Sequence, residues 1–556
     1  VMSAYPNAQE EYDTISAEQL YEKCWLELRD LLRSRYTLIF LRSSEENRAV
    51  RCAIRSHDTC IDGINIKEGD LCRWDSTSGF QKRLLGKQGV EETRWEQLAN
   101  PSPDNTNAVI QALDILHRQL QEFAIKNPDR QYTYLLPDWS ALIRSDDHLI
   151  ARRLKELLLD IEDRIPRPRM TLIVIGADWS IPTILRNNVH ILDLALPTGK
   201  ELYDKVFSVA SHKYELLEAE AKRLAELAQG IPLQAAIQAA RLVTTRNLWS
   251  NPEATGKLLL EVKKQEIRKT GVLEYYAPQG EGLKGVGGLE NVKAWIENRK
   301  AWFEQDLEPE MRPRAILLEG FPGCGKTFIA RAIAQEWCVP QINFEISRLQ
   351  SKFVGESESN TFHALRAIEA SAPNILFMDE IEKAFSGTGT DTSGVSTRQF
   401  GTFLSWLNDH KYPIFFIATS NDREKLPPEL FRAGRFDEIF IVMPPNTQER
   451  REIIEKCIQT HKLLPLDNLT VEQLVRTTAG FSGAELDKLV KETKYLAGSK
   501  GTPTDSNWEQ ALSKMNPQYR TGSMQRLLQK YLKLLEDGGG MPASSIEEGF
   551  LNQLIL

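Results

Sequence analysis

AILLEGFPGCGKTFIARAIAQEW, residues 315–337, is the stretch from which the fold is read. Residues 315–320 form a short apolar run with the look of a buried strand, and FIARAIAQEW reads as a helix. Between them GFPGCGKT, Gly320 to Thr327, fits G-x-x-x-x-G-K-[ST]. Glycines there let backbone N–H groups curl round a phosphate with no Cβ in the way. The helix that follows adds the positive end of its dipole. Lys326 would reach the β and γ phosphates, and Thr327 would offer a hydroxyl to Mg2+. Pro322, Gly323, Cys324, Gly325 and Phe328 complete the expected nucleotide contacts.

A second element, ILFMDE (375–380), begins about 55 positions after the loop opens. An apolar strand there delivers two carboxylates to the edge of the sheet where phosphates would sit. Asp379 would hold Mg2+ through water, and Glu380 would polarise the attacking water. Alone, such a run is as often surface as function. Downstream of a phosphate loop it carries weight.

Composition bounds the rest. A chain of 556 residues is too long for one hydrophobic core, and roughly 100–200 residues per domain predicts three or four units. Lys+Arg is 69 and Asp+Glu 77, a net charge of -8. That balance argues against wholesale coating of DNA or of an anionic membrane, while leaving room for a local basic groove. Seven cysteines with no CxxC indicate a reducing compartment and not a disulfide framework. No apolar run approaches the roughly 18–20 residues that span a bilayer. The acidic, polar N-terminal stretch reads as neither a secretory signal nor an Arg-rich transit peptide. Eight dispersed histidines imply no zinc site, and Trp25, Trp74, Trp95 and Trp139 read as core.

Outward from the loop, short apolar runs alternate with helical patterns in both halves, which predicts parallel sheets wrapped by helices. In the second half NILFMD leads to FFIATSN, LPPEL, IFIVMPP and a helical region with TAGFSGAEL. In the first, TYLLPD leads to LIVIGAD, IPTIL, ILDLALP and a helical region with AQGIPLQAA. The same landmarks in the same order predict an internal duplication. The first half nevertheless lacks a phosphate loop: GKQG (86–89) has the wrong spacing, and Trp139 follows Asp138 where a catalytic Glu would stand.

On these motifs the sequence resembles the AAA+ ATPases, in particular the AAA clade that contains peptide-threading motors. VGGLENVK (286–293) looks like that clade's adenine-holding segment, which implies adenine contacts from Val286 and Gly287. KFVGESES (352–359) is similar to its first pore loop, which implies that Lys352, Phe353 and Val354 line an axial channel. IATSN (417–421) puts Asn421 at the γ-phosphate sensor position. FRAGRFD (431–437) resembles the arginine-finger motif, so Arg432 and Arg435 are expected to serve a neighbouring subunit's site. TAGFSGAEL (478–486) looks like the lid segment, with Gly483 and Ala484 over adenine. Cys324 departs from the clade's usual Thr. A helix N-terminus lowers a thiol's pKa, which would make it redox-sensitive; a tolerated small residue is the plainer reading. The Gly/Ser/Thr-rich stretch 385–397 fits a second pore loop without an aromatic grip.

A narrower likeness covers most of the chain. IRKTGVLEYYAP (267–278), FVGESES and RYTLIFLRSSEENRAV (35–50) resemble an AAA family encoded as a hypothetical reading frame in chloroplast and cyanobacterial genomes, with a suggested link to photosynthetic regulation. The resemblance implies an α/β fold: a P-loop AAA+ module, sheet plus helical lid, preceded by a decayed AAA-like domain. The expected domains are a flexible segment (1–20), the degenerate module (21–245), a linker helix and loop (246–285), the large ATPase subdomain (286–446), the lid (447–520), and a C-terminal helix with an apolar tail (521–556). The function so implied is a Mg2+- and ATP-dependent homo-oligomer, a hexamer, remodelling a protein client in a bacterial cytosol or plastid stroma. A nucleotide-gated scaffold with slow turnover is the first alternative, and a nucleic-acid motor the second.

Overall fold

A computed structural model of the protein describes residues 17–61, 69–84, 94–99, 105–143, 147–214, 216–304, 311–345, 357–384, 395–410, 412–432, 434–463, 468–498, 502–515, 517–518 and 521–545. The expected pore-loop residues Lys352, Phe353 and Val354 lie outside them, as do residues 385–394 and the tail beyond 545. The chain divides into two compact units, residues 1–259 and 260–556.

The first unit is built on strands β1 (Leu38–Arg42), β2 (Gly69–Asp75), β3 (Gly79–Leu84), β4 (Arg94–Ala99), β5 (Gln131–Leu136), β6 (Arg169–Gly176) and β7 (Val189–Asp193), in the order β4-β3-β2-β5-β6-β1-β7. β2, β5, β6, β1 and β7 pair in parallel. β3 and β4 add an antiparallel edge. Alternate residues of the central strands feed opposite faces: Leu38 and Phe40 join one core, Ile39 and Leu41 the other. Apolar residues on both faces are what a helix-covered parallel sheet requires.

The second unit repeats that plan with β8 (Leu273–Tyr276), β9 (Ala315–Gly320), β10 (Gln341–Phe344), β11 (Asn374–Met378), β12 (Ile414–Ser420), β13 (Glu438–Val442) and β14 (Met541–Pro542). The order is β14-β13-β9-β12-β11-β10-β8, all parallel except the edge strand β8. If each unit's five central parallel strands are numbered along the chain, both sheets read fifth-first-fourth-third-second. The fold is therefore α/β throughout, with one strand order repeated in the two units. Four helices, Thr447–Thr460, Asn468–Thr477, Gly483–Ala497 and Asp505–Ser513, form the lid around Ile454, Leu474, Leu489 and Trp508.

Four strands had no counterpart in the sequence reading. β3 (GFQKRL) and the edge strand β4 (RWEQLA) are polar and lack a full apolar face. β8 falls within the stretch read as linker, where Tyr275 pairs across to Ile342. β14 is two residues long, too short for any period to register.

Candidate active site

The strand-to-helix turn after β9 shapes the site. Gly320 has φ +147°, and a Cβ there would lie 2.0 Å from the carbonyl oxygen of Val442 on β13. Gly325, at φ +88°, is the N-cap of the helix Lys326–Glu336. No L side chain adopts either conformation without strain. The turn thus delivers Lys326 as the first helical residue. Its side chain is buried, and its Nζ donates to the carbonyls of Gly320 and Phe321, both 2.7 Å away, and to Asn421 Oδ1 at 2.8 Å. Burial pulls its pKa down, opposed by Cys324 and by the nearby carboxylates. Its hydrogen-bond partners among the described residues are neutral oxygens, which a phosphate can displace.

β11 and β12 bring the acidic side. Thr327 Oγ1 lies 3.2 Å from Asp379 Oδ2. Thr419 Oγ1, at the end of β12, donates to Asp379 Oδ1 at 2.5 Å and accepts from the Glu380 backbone N–H at 2.8 Å. One hydroxyl therefore orients both carboxylate residues. Glu380 sits at φ +48°, the left-handed region, at a cost of about 1–2 kcal/mol for a residue with a Cβ. Lys383, paired with it one turn on, draws its carboxyl below the usual range, and Asn421 Nδ2 adds a hydrogen bond at 2.9 Å. Asn421 thus joins Lys326 to Glu380 through the two ends of its side-chain amide. The Thr327 hydroxyl and the Asp379 carboxylate are all-oxygen donors and fit a hard cation such as Mg2+.

These residues open onto a cavity of about 530 Å³. Val286, Gly287, Pro322, Gly323, Cys324, Gly325, Phe328, Gly483 and Ala484 line it, so every residue expected to contact nucleotide is at one place. A Cβ on Gly287 would meet Ile453 Cγ1 at 2.8 Å, so this wall closes only around glycine. The lid is tied to the loop by Ala484 N–H donating to the Gly323 carbonyl at 3.0 Å. Burial pushes the Cys324 thiol up to about 12, the opposite of the lowering a helix N-terminus alone would produce. That makes it a buried small residue and not a reactive thiol. Arg432 is exposed, and Arg435 Nη1 donates to the Glu429 carbonyl at 2.7 Å. Neither lines the cavity.

Sequence reasoning missed Thr419, Glu382, whose Oε1 accepts from Asn421 N–H at 3.1 Å, and the lid residues Ile453 and Asp487 in the cavity wall. Thr419 stood inside IATSN, two residues before Asn421, where its role could have been asked. Nothing in the sequence marked Ile453 or Asp487.

The corresponding place in the first unit is built differently. Three residues, Ser43–Glu45, join β1 to the helix Glu46–Ile61, against five between β9 and its helix. Arg48 forms a two-pronged pair with Glu201, at 3.0 and 2.7 Å, and both are buried. Burial alone would raise the Glu201 carboxyl, but Arg48 and Lys205 outweigh it and hold it low. Glu45 Oε1 accepts from Leu233 N–H at 2.6 Å, at the start of the helix Leu233–Thr245. An ionic network thus joins the turn after β1 to the helices beyond β7. Asp138 accepts from the backbone N–H and hydroxyl of Ser76, both at 2.7 Å, and Trp139 is fully buried against Trp74. Both serve the fold.

Comparison with known proteins agrees with this geometry. Residues 316–444 match the ATPase family associated with various cellular activities (AAA), and residues 25–194 match the N-terminal domain of SpoVK-like AAA ATPases. An AAA domain-containing protein ycf46 of Trieres chinensis is 30% identical over 478 residues, 85% of this chain and 88% of its own. The ribosome biogenesis ATPase RIX7 of Saccharomyces cerevisiae is 33% identical over 224 residues, 38% of this chain and 26% of its own. The cell division cycle protein 48 homolog of Archaeoglobus fulgidus is 30% identical over 280 residues, 45% and 37% of the two chains.

Proposed function

Since this chain belongs to the AAA ATPases, within them to the ycf46 group, and hydrolyses ATP, we propose that it works as a ring-forming, Mg2+-dependent remodeller of a protein client. AAA proteins usually act as oligomers, and a hexamer is the state proposed here. The observation that carries the reading is the convergence of Lys326, Thr327, Asp379, Glu380 and Asn421 on one glycine-walled cavity. Lys326 exchanges its neutral oxygen partners for the β and γ phosphates. Thr327 and Asp379 would hold Mg2+, which would supply positive charge to offset that of the phosphates. Glu380, whose carboxyl Lys383 holds below its ordinary range, takes a proton from the attacking water. Asn421 keeps that carboxylate and the Lys326 ammonium in register.

Arg432 and Arg435 are assigned to the neighbour's site. Their place outside their own subunit's cavity supports this. Val286, Gly287, Gly483 and Ala484 hold adenine, and Lys352, Phe353 and Val354 grip the client. The N-terminal domain recruits the client or braces the ring. Among the described residues no helix is long and apolar enough to cross a membrane, and none of the seven cysteines is disulfide-bonded. The free thiols support a bacterial cytosol or plastid stroma. The names of two relatives connect this ATPase module with ribosome biogenesis and with the cell division cycle, which favours a macromolecular client.

Glu380→Gln tests the reading. The variant should keep Mg-ATP, lose at least about 100-fold in turnover and retain client protein through affinity purification. Lys326→Ala should lose nucleotide binding and release the same client. Wild-type turnover by Glu380→Gln would remove the assignment, and a client held equally by both variants would remove the ATP-driven mechanism.

A further inference from the structure

The helix Gly522–Glu536 and the turn after it, which leads to the edge strand β14, lie outside the lid and the sequence motifs, yet they touch three successive residues just past β12. Tyr531 Oη donates to the Asn421 carbonyl at 2.9 Å. Lys530 Nζ reaches Asp422 Oδ1 at 2.9 Å. Arg423 Nη1 donates to the Gly539 carbonyl at 2.7 Å. β14 then pairs with β13, and Asn291 Nδ2 donates to the Pro542 carbonyl at 2.9 Å. A second cavity, also about 530 Å³, lies between Glu380 and Asn421 on one wall and Met524, Leu527 and Lys530 on the other.

We propose that residues 522–545 form a strap that positions the γ-phosphate sensor, with Tyr531 as the positioning residue that fixes Asn421 through its backbone carbonyl. The inference rests on the proposed roles of Asn421 and Glu380. Asn421 has four polar atoms, and each is held: N–H by Glu382, Oδ1 by Lys326, Nδ2 by Glu380 and the carbonyl oxygen by Tyr531. The side-chain bonds depend on the orientation of the residue, and that orientation follows the peptide plane beyond the end of β12. Tyr531 is the donor to that plane. Its ring is fully buried, 5.8 Å from Phe321 of the phosphate loop, so water does not replace the hydroxyl when it is removed. Burial also keeps the phenol protonated and therefore a donor.

Tyr531→Phe in the full chain removes the hydroxyl and keeps the ring. The expected result is a kcat for ATP lower by about three- to tenfold, the worth of one buried hydrogen bond, with KM within about twofold. Lys530→Met should show the same split. Leu528→Ala loosens the same helix without touching residues 421–423, and should lower Tm while leaving kcat within about twofold. An unchanged kcat in Tyr531→Phe, or an equal loss in Leu528→Ala, overturns the strap. If the wild type itself shows no turnover, the proposed function fails independently. The strap is then read from binding: Tyr531→Phe must narrow the preference for a non-hydrolysable ATP analogue over ADP by at least about threefold, and an unchanged preference overturns it.

Discussion

Glu319 stands immediately before the phosphate loop, on β9, with a fully buried carboxyl that accepts no side-chain hydrogen bond among the described residues. The nearest cation, Arg423, lies 4.0 Å away. Burial pushes its pKa from 4.5 up to about 7, against the pull of Arg423 and Lys530. A carboxyl whose folded pKa is raised binds more protons folded than unfolded. Its contribution to stability is therefore complete below about pH 4.5 and is lost as pH rises through 7. The rise from 4.5 to about 7 is worth roughly 3 kcal/mol. Glu319→Gln, neutral at every pH, should raise Tm at pH 8 and flatten the fall in stability between pH 5 and 8. Denaturant melts across that range check it, and parallel pH profiles for the two proteins would refute it. The residues proposed for catalysis were legible because each stood in a contiguous motif. Glu319 was not, since a charge at the end of an apolar run looks the same whether the strand end is open or, as here, closed over by Arg423 and Tyr531.

Elements carry the contrast between the two units. Both sheets place their first strand between the fourth and fifth, yet one turn after that strand cradles a cavity and the other is shut by Glu45, Arg48 and Glu201. Absence of the phosphate-loop motif was readable in the first half, and so was Trp139 in place of the acid. The ionic network that stands there was not, because Arg48 and Glu201 are 153 positions apart and meet only through the strand order. Removing one partner of a buried pair strands the other charge. Arg48→Met should therefore cost about 3–5 kcal/mol in the unfolding of the first unit. Arg48→Met combined with Glu201→Leu should recover most of that, and calorimetry on the full chain separates the cases. A single substitution costing under about 1 kcal/mol would reduce the network to a surface-like pair.

Over the whole molecule the question is how one site comes to be complete. The proposed role of Arg432 and Arg435 requires a site assembled from two copies. Turnover per chain should then rise with protein concentration through the assembly range. Rings mixed from Arg435→Ala and Lys326→Ala chains should regain activity, because one kind of interface joins an intact cavity to an intact finger. No recovery in mixed rings confirmed by mass would place the arginines elsewhere. Determined by the sequence alone were the α/β class, the repeated plan, the phosphate loop and the paired carboxylates. Each rests on local signals, written in a period of two or 3.6 or in a motif of under ten residues, and the repeated plan on the order in which such signals recur. Decided only by the tertiary structure were the tie from Tyr531 to Asn421, the closing of the first unit by Arg48 and Glu201, the buried charge of Glu319 and the edge strands β8 and β14. These depend on which distant segments share a wall. Partners 110 and 153 positions apart leave no periodic trace, and strand order brings them within hydrogen-bond reach.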